Sequence, residues 1–249
     1  MNSYASQDGA PWGLDRIDAR SGLDNTFNYE FDGWGVDIFV LDTGVQDHQD
    51  YSGRFRGCTD YTGEGCDVSS PDPHGTHVAG TATGTTYGVA KASNLYGYKV
   101  LQSDGSGTYG GIISAIDDII ADKQRFDRPI VINMSLGGGY YVPMNEAVES
   151  ATLEGIVVVV AAGNERTDAC NSSPASAASA ITVGAIDQND NRASFSNYGA
   201  CVDIWAPGTG KAWQKVLKIV WLQIHDYQPR SHFFCFAGAQ ILTQLRFFF

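Results

Sequence analysis

A chain of 249 residues, 43% hydrophobic and 18% charged, is long and apolar enough to bury one α/β core, which excludes disorder throughout. Its net charge of −12 excludes a binder of nucleic-acid phosphates, which needs a basic face. No run of about 18 apolar residues is present to span a membrane, and no charged n-region followed by an apolar stretch opens the chain.

Short apolar runs and glycine-punctuated helical stretches alternate along the chain. The runs begin at Val36–Leu41, followed by Asp42-Thr-Gly, and continue at Asn94–Val100 and Ile130–Ser135. Ile156–Ala162, Ala180–Gly184 and Val202–Trp205 complete them. They are rich in Val and Ile and do not alternate, as expected for strands buried on both faces. Helices are predicted over His74–Thr83, Tyr109–Lys123 and Met144–Leu153. In the second, Ile112, Ile113, Ile116, Ile119 and Ile120 recur at three-to-four spacing. This alternation implies a mostly parallel sheet with helices on both faces. Function in such sheets gathers at the carboxyl ends of the strands.

The composition breaks near Gly210. Residues 1–209 hold 11 Lys and Arg against 27 Asp and Glu, a net of −16, whereas residues 210–249 have a net of +4. The last forty residues also carry nine of the 29 aromatics and two of the 29 glycines, so they are set apart as a divergent basic tail. Residues 1–10 are set apart as an N-terminal extension.

Of five cysteines, Cys58, Cys66, Cys170 and Cys201 lie in the acidic body and Cys235 in the tail, with no C-x-x-C pair to suggest zinc or dithiol chemistry. Buried free thiols and two disulfides of a secreted protein are both open at this point.

Three segments carry chemistry. Asp42 closes a buried strand before Thr-Gly, as a poorly solvated carboxylate or as a turn residue. His74 and His77 stand at i, i+3 on a helix rich in Gly and Ala, without the H-E-x-x-H pattern of a zinc site. Asn164 follows the Val run in Ala161-Ala-Gly-Asn164, as a loop cap or as an amide aimed at a developing oxyanion.

Taken in the order Asp, His, Asn, these segments resemble the subtilisin-like serine proteases, within them the proteinase K branch. The resemblance runs from Pro11-Trp-Gly-Leu-Asp-Arg-Ile-Asp18 through Val40-Leu-Asp-Thr-Gly44, His74-Gly-Thr-His-Val-Ala-Gly80 and Tyr87-Gly-Val-Ala-Lys91. It continues through Asp104-Gly-Ser-Gly107, Asn133–Gly139, Ala161–Asn164, Ser173–Ser176 and Ala193–Gly199 to Ala206-Pro-Gly-Thr209. It implies a three-layer subtilisin-like fold over residues 11–209, C-terminally incomplete, and a secreted, monomeric endopeptidase acting on peptides and proteins, without nucleic-acid or membrane partners.

The resemblance also implies roles. Asp42 would orient the imidazole of His74, the general base; His77 would be structural. Asn164 would donate its amide to the oxyanion. Ser135, Leu136 and Gly137, with Ala161, Ala162 and Gly163, would wall the pocket for the residue before the scissile bond. Gly105, Ser106 and Gly107 would form an exposed edge that pairs with extended substrate. Cys170 and Cys201 match a bridged pair, worth about 3–4 kcal/mol. Cys58 and Cys66, close in sequence, are read as a local pair. A structural Ca²⁺ is implied at the main-chain oxygens of Ala178 and Ala180 with the Asp203 carboxylate, and a second at Asp15 and Asp18.

The sequence departs from the family after Thr209. The family's nucleophile lies in a Gly-Thr-Ser-Met-Ala segment, and none of the 249 residues supplies one. Ser231, alone in the tail, stands in Pro-Arg-Ser-His-Phe-Phe. Loss of that serine costs about a million-fold in turnover, so no peptidase activity is expected from the chain as written. The tail reads as translation of an intron or a shifted frame; a basic amphipathic helix from Lys211 that binds a membrane surface is the alternative. A peptide-binding pseudoprotease is the other reading of the body. Pro73 also stands where the family has Gly.

Overall fold

The computed structural model describes residues 5–66 and 74–210. Pro73, Cys235 and the rest of residues 211–249, including the alternative amphipathic helix from Lys211, lie outside the described residues. The centre is a seven-stranded parallel sheet. Its strands in chain order are β1 (Asp37–Asp42), β2 (Phe55–Asp60), β3 (Asn94–Lys99), β4 (Ile130–Met134), β5 (Val157–Ala161), β6 (Ile181–Ile186) and β7 (Ile204–Pro207). Their spatial order is β7-β6-β5-β4-β1-β3-β2. All neighbours are parallel, with Asp42 opposite Lys99 and Val40 opposite Asn133.

The order reverses beside β1. The chain goes first to the edge strand β2, returns to β3 beside β1, then crosses over to β4 on the other flank. Such a switch opens a crevice at the carboxyl ends of the strands.

Strand alternation sends successive side chains to opposite faces. On one face Phe39, Leu41, Ile132, Met134, Val158 and Val160 form one core with helices α3 (Tyr109–Asp122) and α4 (Val142–Leu153). On the other, Ile38, Val40, Val131, Val159 and Val183 pack with Val78, Ala79 and Ala82 of α2 (His74–Thr83). The helices thus cover both faces, in three layers. Ile112, Ile116 and Ile119 of α3 are at most 1% exposed, whereas Ile113 and Ile120 are half-buried, so the stripe read from the sequence is the buried stripe with its shoulders. Each such side chain contributes about 1.5–3 kcal/mol of transfer free energy. Thr108 starts α3 by accepting the Gly111 N–H on its hydroxyl at 3.1 Å.

Three elements are not foreshadowed by the sequence pattern. Ala5–Asp8 pairs antiparallel with Thr26–Tyr29, so residues 5–8 are built into the structure rather than appended to it. The six-residue helix α1 (Trp12–Ile17) packs against β7. The edge strand β2 is only half-buried and carries Arg, Gly, Cys and Thr, so it lacks the apolar run that revealed the others. No helix among the described residues is long and apolar enough to cross a membrane.

Candidate active site

Asp42 ends β1 and His74 begins α2. The two meet because α2 docks closely on the turn after β1. A Cβ on Gly75 would collide with the Gly44 carbonyl, so only glycine permits this approach. Thr43 completes the joint by accepting the Gly75 N–H on its hydroxyl at 3.0 Å. The small residues of α2 therefore provide close packing, and that packing delivers the histidine.

The Asp42 Oδ1 to His74 Nδ1 distance is 2.7 Å, with side chains 0% and 2% exposed. A carboxylate only accepts, so Nδ1 carries the proton and Nε2 is the basic atom of the ring. Oδ1 also accepts the Thr43 N–H at 2.7 Å, which fixes the carboxylate.

His77 lies one turn further along α2. Burial, reinforced by the neighbouring His74, lowers its pKa from 6.5 to about 4, so it is neutral at ordinary pH. No group of three or more His, Cys, Asp or Glu among the described residues is arranged to hold a metal.

Asn164 follows β5, which lies two strands from β1 on the same edge of the sheet, about 10 Å away at ordinary strand spacing. Neither atom of its side-chain amide has a hydrogen-bond partner among the described residues, although both are buried. An unsatisfied buried amide is costly unless a ligand completes it.

The loop that carries it is gripped by Asn197, which is 0% exposed. Asn197 Nδ2 donates to the Ala162 carbonyl at 2.9 Å and to Glu165 Oε2 at 2.8 Å. Its Oδ1 accepts the N–H groups of Glu165 and Thr167 at 2.9 and 3.0 Å. Glu165 Oε2 in turn accepts the Asn164 N–H at 2.9 Å. Sequence reasoning places Asn197 within a motif but assigns it no role, because nothing local shows that it reaches back 30 residues.

Ser135, Leu136 and Gly137 follow β4, and Ala161, Ala162 and Gly163 close β5; all six are buried at the same edge. Asn133 donates to the Ser135 hydroxyl at 3.0 Å. Gly105, Ser106 and Gly107 depart from the exposed edge expected of them, since all three are buried. The reason is a tight turn: Gly107 bridges back to Leu101, Gln102 N–H donates to the Ser106 carbonyl at 2.6 Å, and Gly105 N–H to the Gln102 carbonyl at 2.9 Å.

Disulfides join Cys170 to Cys201 and Cys58 to Cys66. Asp203 is exposed beside β7, and its Oδ2 accepts the Thr182 N–H at 2.8 Å, which brings the carboxylate next to the turn holding Ala178 and Ala180. Carbonyl and carboxylate oxygens are the donor type that would suit a hard cation. Asp15, 2% exposed, accepts the N–H groups of Asp24 and Asn25 at 3.0 and 2.8 Å, and Asp18 accepts the Asn28 N–H at 2.6 Å. Both therefore anchor the following loop through hydrogen bonds.

The family model for subtilases of the peptidase S8 class matches residues 33–235. The chain is 48% identical over 211 residues to alkaline serine exoprotease A of Vibrio alginolyticus, covering 84% of this chain and 39% of that one. It is 47% identical to the extracellular serine proteinase of a Thermus strain, over 84% of this chain and 50% of that one. With proteinase T of Parengyodontium album it shares 44% identity over 82% of this chain and 71% of the relative. The crystal structure of a cold adapted subtilisin-like serine proteinase superposes with a TM-score of 0.76 at 47% identity, covering 81% of this chain and 74% of that one. The chain thus spans half or less of the length of the first two relatives.

Proposed function

The chain belongs to the subtilase family of serine proteases, and from that premise we propose that its body is the Asp–His portion of a secreted, calcium-stabilised endopeptidase site for extended peptides. The observation that carries the reading is the buried Asp42–His74 pair at 2.7 Å, placed at the switch point of a parallel sheet. In a site completed by a serine, His74 Nε2 takes the hydroxyl proton as oxygen attacks the scissile carbonyl. The Asn164 amide donates to the oxyanion, and His74 returns the proton to the leaving amine. The unsatisfied Asn164 amide supports that role. Apolar walls from Leu136, Ala161 and Ala162 favour an apolar or aromatic residue before the cleaved bond over a basic one.

The chain of 249 residues has no Gly-Thr-Ser-Met-Ala segment, so we propose that by itself it turns over no peptide. Cleavage of succinyl-Ala-Ala-Pro-Phe p-nitroanilide is the test, made on the chain as given and on a form continued from Thr209 by the corresponding part of proteinase T. The expected result is no turnover from the first and His74-dependent turnover from the second. Turnover by the first, or a folded hybrid that ignores this substrate and cleaves Lys-Arg peptides, overturns the reading. Sequencing the transcript across Pro207 to Gly210 shows which frame is expressed.

Ala178, Ala180 and Asp203 would hold the structural Ca²⁺, with a second ion at Asp15 and Asp18. Bound calcium supplies cohesion between loops, not chemistry at the reacting carbonyl. The extracellular assignment is supported by the two disulfides and by the relative named as an extracellular proteinase.

A further inference from the structure

Lys99 ends β3 with 1% of its surface exposed. Its Nζ donates to the Thr43 carbonyl at 3.0 Å and to the Leu101 carbonyl at 2.9 Å. It also pairs with Glu64 Oε2 at 3.1 Å. The same carboxylate oxygen accepts the backbone N–H of Ser103 at 2.9 Å and its hydroxyl at 2.8 Å. Ser103 chiefly, and Lys99 after it, hold the Glu64 carboxyl below its ordinary range.

One carboxylate therefore joins three segments. The first is the loop closed by the Cys58–Cys66 bond, in which Glu64 sits. That loop is braced from within, because Asp60 accepts the Thr62 hydroxyl at 2.6 Å and the Gly65 N–H at 2.8 Å. The second is the turn 101–107. The third, through Lys99, is the carbonyl of Thr43, next to Asp42. A buried lysine deprived of its carboxylate is strongly unfavourable, so the three segments are held together rather than merely adjacent.

We propose that Glu64 is a positioning residue for the turn 101–107, the segment that the family resemblance assigns to peptide contact. Through Ser103 and Lys99 it sets the backbone of residues 101–107 against the end of β1, and the Cys58–Cys66 loop holds it in place. The substrate part of this inference rests on the reading of Gly105–Gly107 as peptide-contacting; the anchoring part does not.

The two parts separate experimentally. Amide hydrogen exchange is measured on the full chain and on E64A and E64Q, together with calorimetric binding of succinyl-Ala-Ala-Pro-Phe. In E64A, exchange at Ser103, whose N–H loses its charged acceptor, should rise about tenfold or more, and exchange at Gln102 and Gly105 in the same turn should rise with it. E64Q retains an acceptor for Ser103 and should fall between. Amides of β4 and β5 should not change, and peptide affinity should drop by a factor similar to the change in exchange. Unchanged exchange at Gln102 and Gly105 in E64A overturns the proposal, and so does a rise that is equal in β4 and β5. If E64A does not fold, S103A removes one bond; a selective rise in the turn then upholds the anchoring, and an unchanged turn overturns it. A turn that responds in a chain that binds no peptide upholds the anchoring and sinks the peptide reading instead.

Discussion

Asp42 presents one carboxylate oxygen to His74 Nδ1 at 2.7 Å, and neither side chain reaches solvent. The same oxygen accepts the Thr43 N–H. Removing the carboxylate takes away the oxygen shared by His74 Nδ1 and the Thr43 N–H. Asp42→Ala should therefore lower folding stability by about 2–4 kcal/mol, and Asp42→Asn by less, because an amide oxygen still accepts. Urea denaturation of the two variants checks this. Equal losses would show that the negative charge, and not the acceptor oxygen or the side-chain volume, carries the stabilisation.

Gly163 lies between the pocket wall and Asn164, with φ of +99°. A Cβ there would run into Asn197 Nδ2, the atom that grips the loop. Gly163→Ala should cost about 1–3 kcal/mol through backbone strain and displacement of that amide. Nuclear magnetic resonance should show the Asn164 and Asn197 side-chain amides shifting together. A shift confined to residue 163 would contradict the grip described for Asn197.

His77 makes stability depend on pH. Its folded pKa of about 4 lies below the unfolded value near 6.5, so the unfolded chain binds the proton more readily. The stability associated with a neutral His77 is full above about pH 6.5 and is lost as pH falls toward 4, by up to about 3 kcal/mol. The difference between wild type and His77→Asn should shrink across that window. A difference that is constant from pH 7 to 4 would rule out a depressed His77.

The two disulfides should contribute unequally. Cys170 and Cys201 are 31 residues apart, and Cys58 and Cys66 are 8 apart. Loop-closure entropy assigns about 3–4 kcal/mol to the first and about 2–3 to the second. Denaturation of C170S/C201S and C58S/C66S measures the two losses. A reversed order would mean that the short loop acts mainly through the folded state, as its link to Glu64 and Lys99 allows.

The parallel sheet, its buried strands and the stripe of α3 were legible in the sequence, because each follows from periodicity along one stretch of chain. The sequence also placed Asp42, His74 and Asn164 at strand ends or helix starts, where buried runs stop at Gly, and the same segments carried the family resemblance. It did not reveal β2, whose residues are mixed because an edge strand is only half covered. It did not reveal Lys99 as a tie between Thr43, Leu101 and Glu64, since a lysine at a strand end reads as exposed. Nor did it reveal how far Asn197 reaches, or that Gly105, Ser106 and Gly107 fold inward as a buried turn. Those facts belonged to the tertiary structure alone. A side chain's hydrogen-bond partners and exposure are set by what the fold brings beside it across tens of residues, and no local spacing records that.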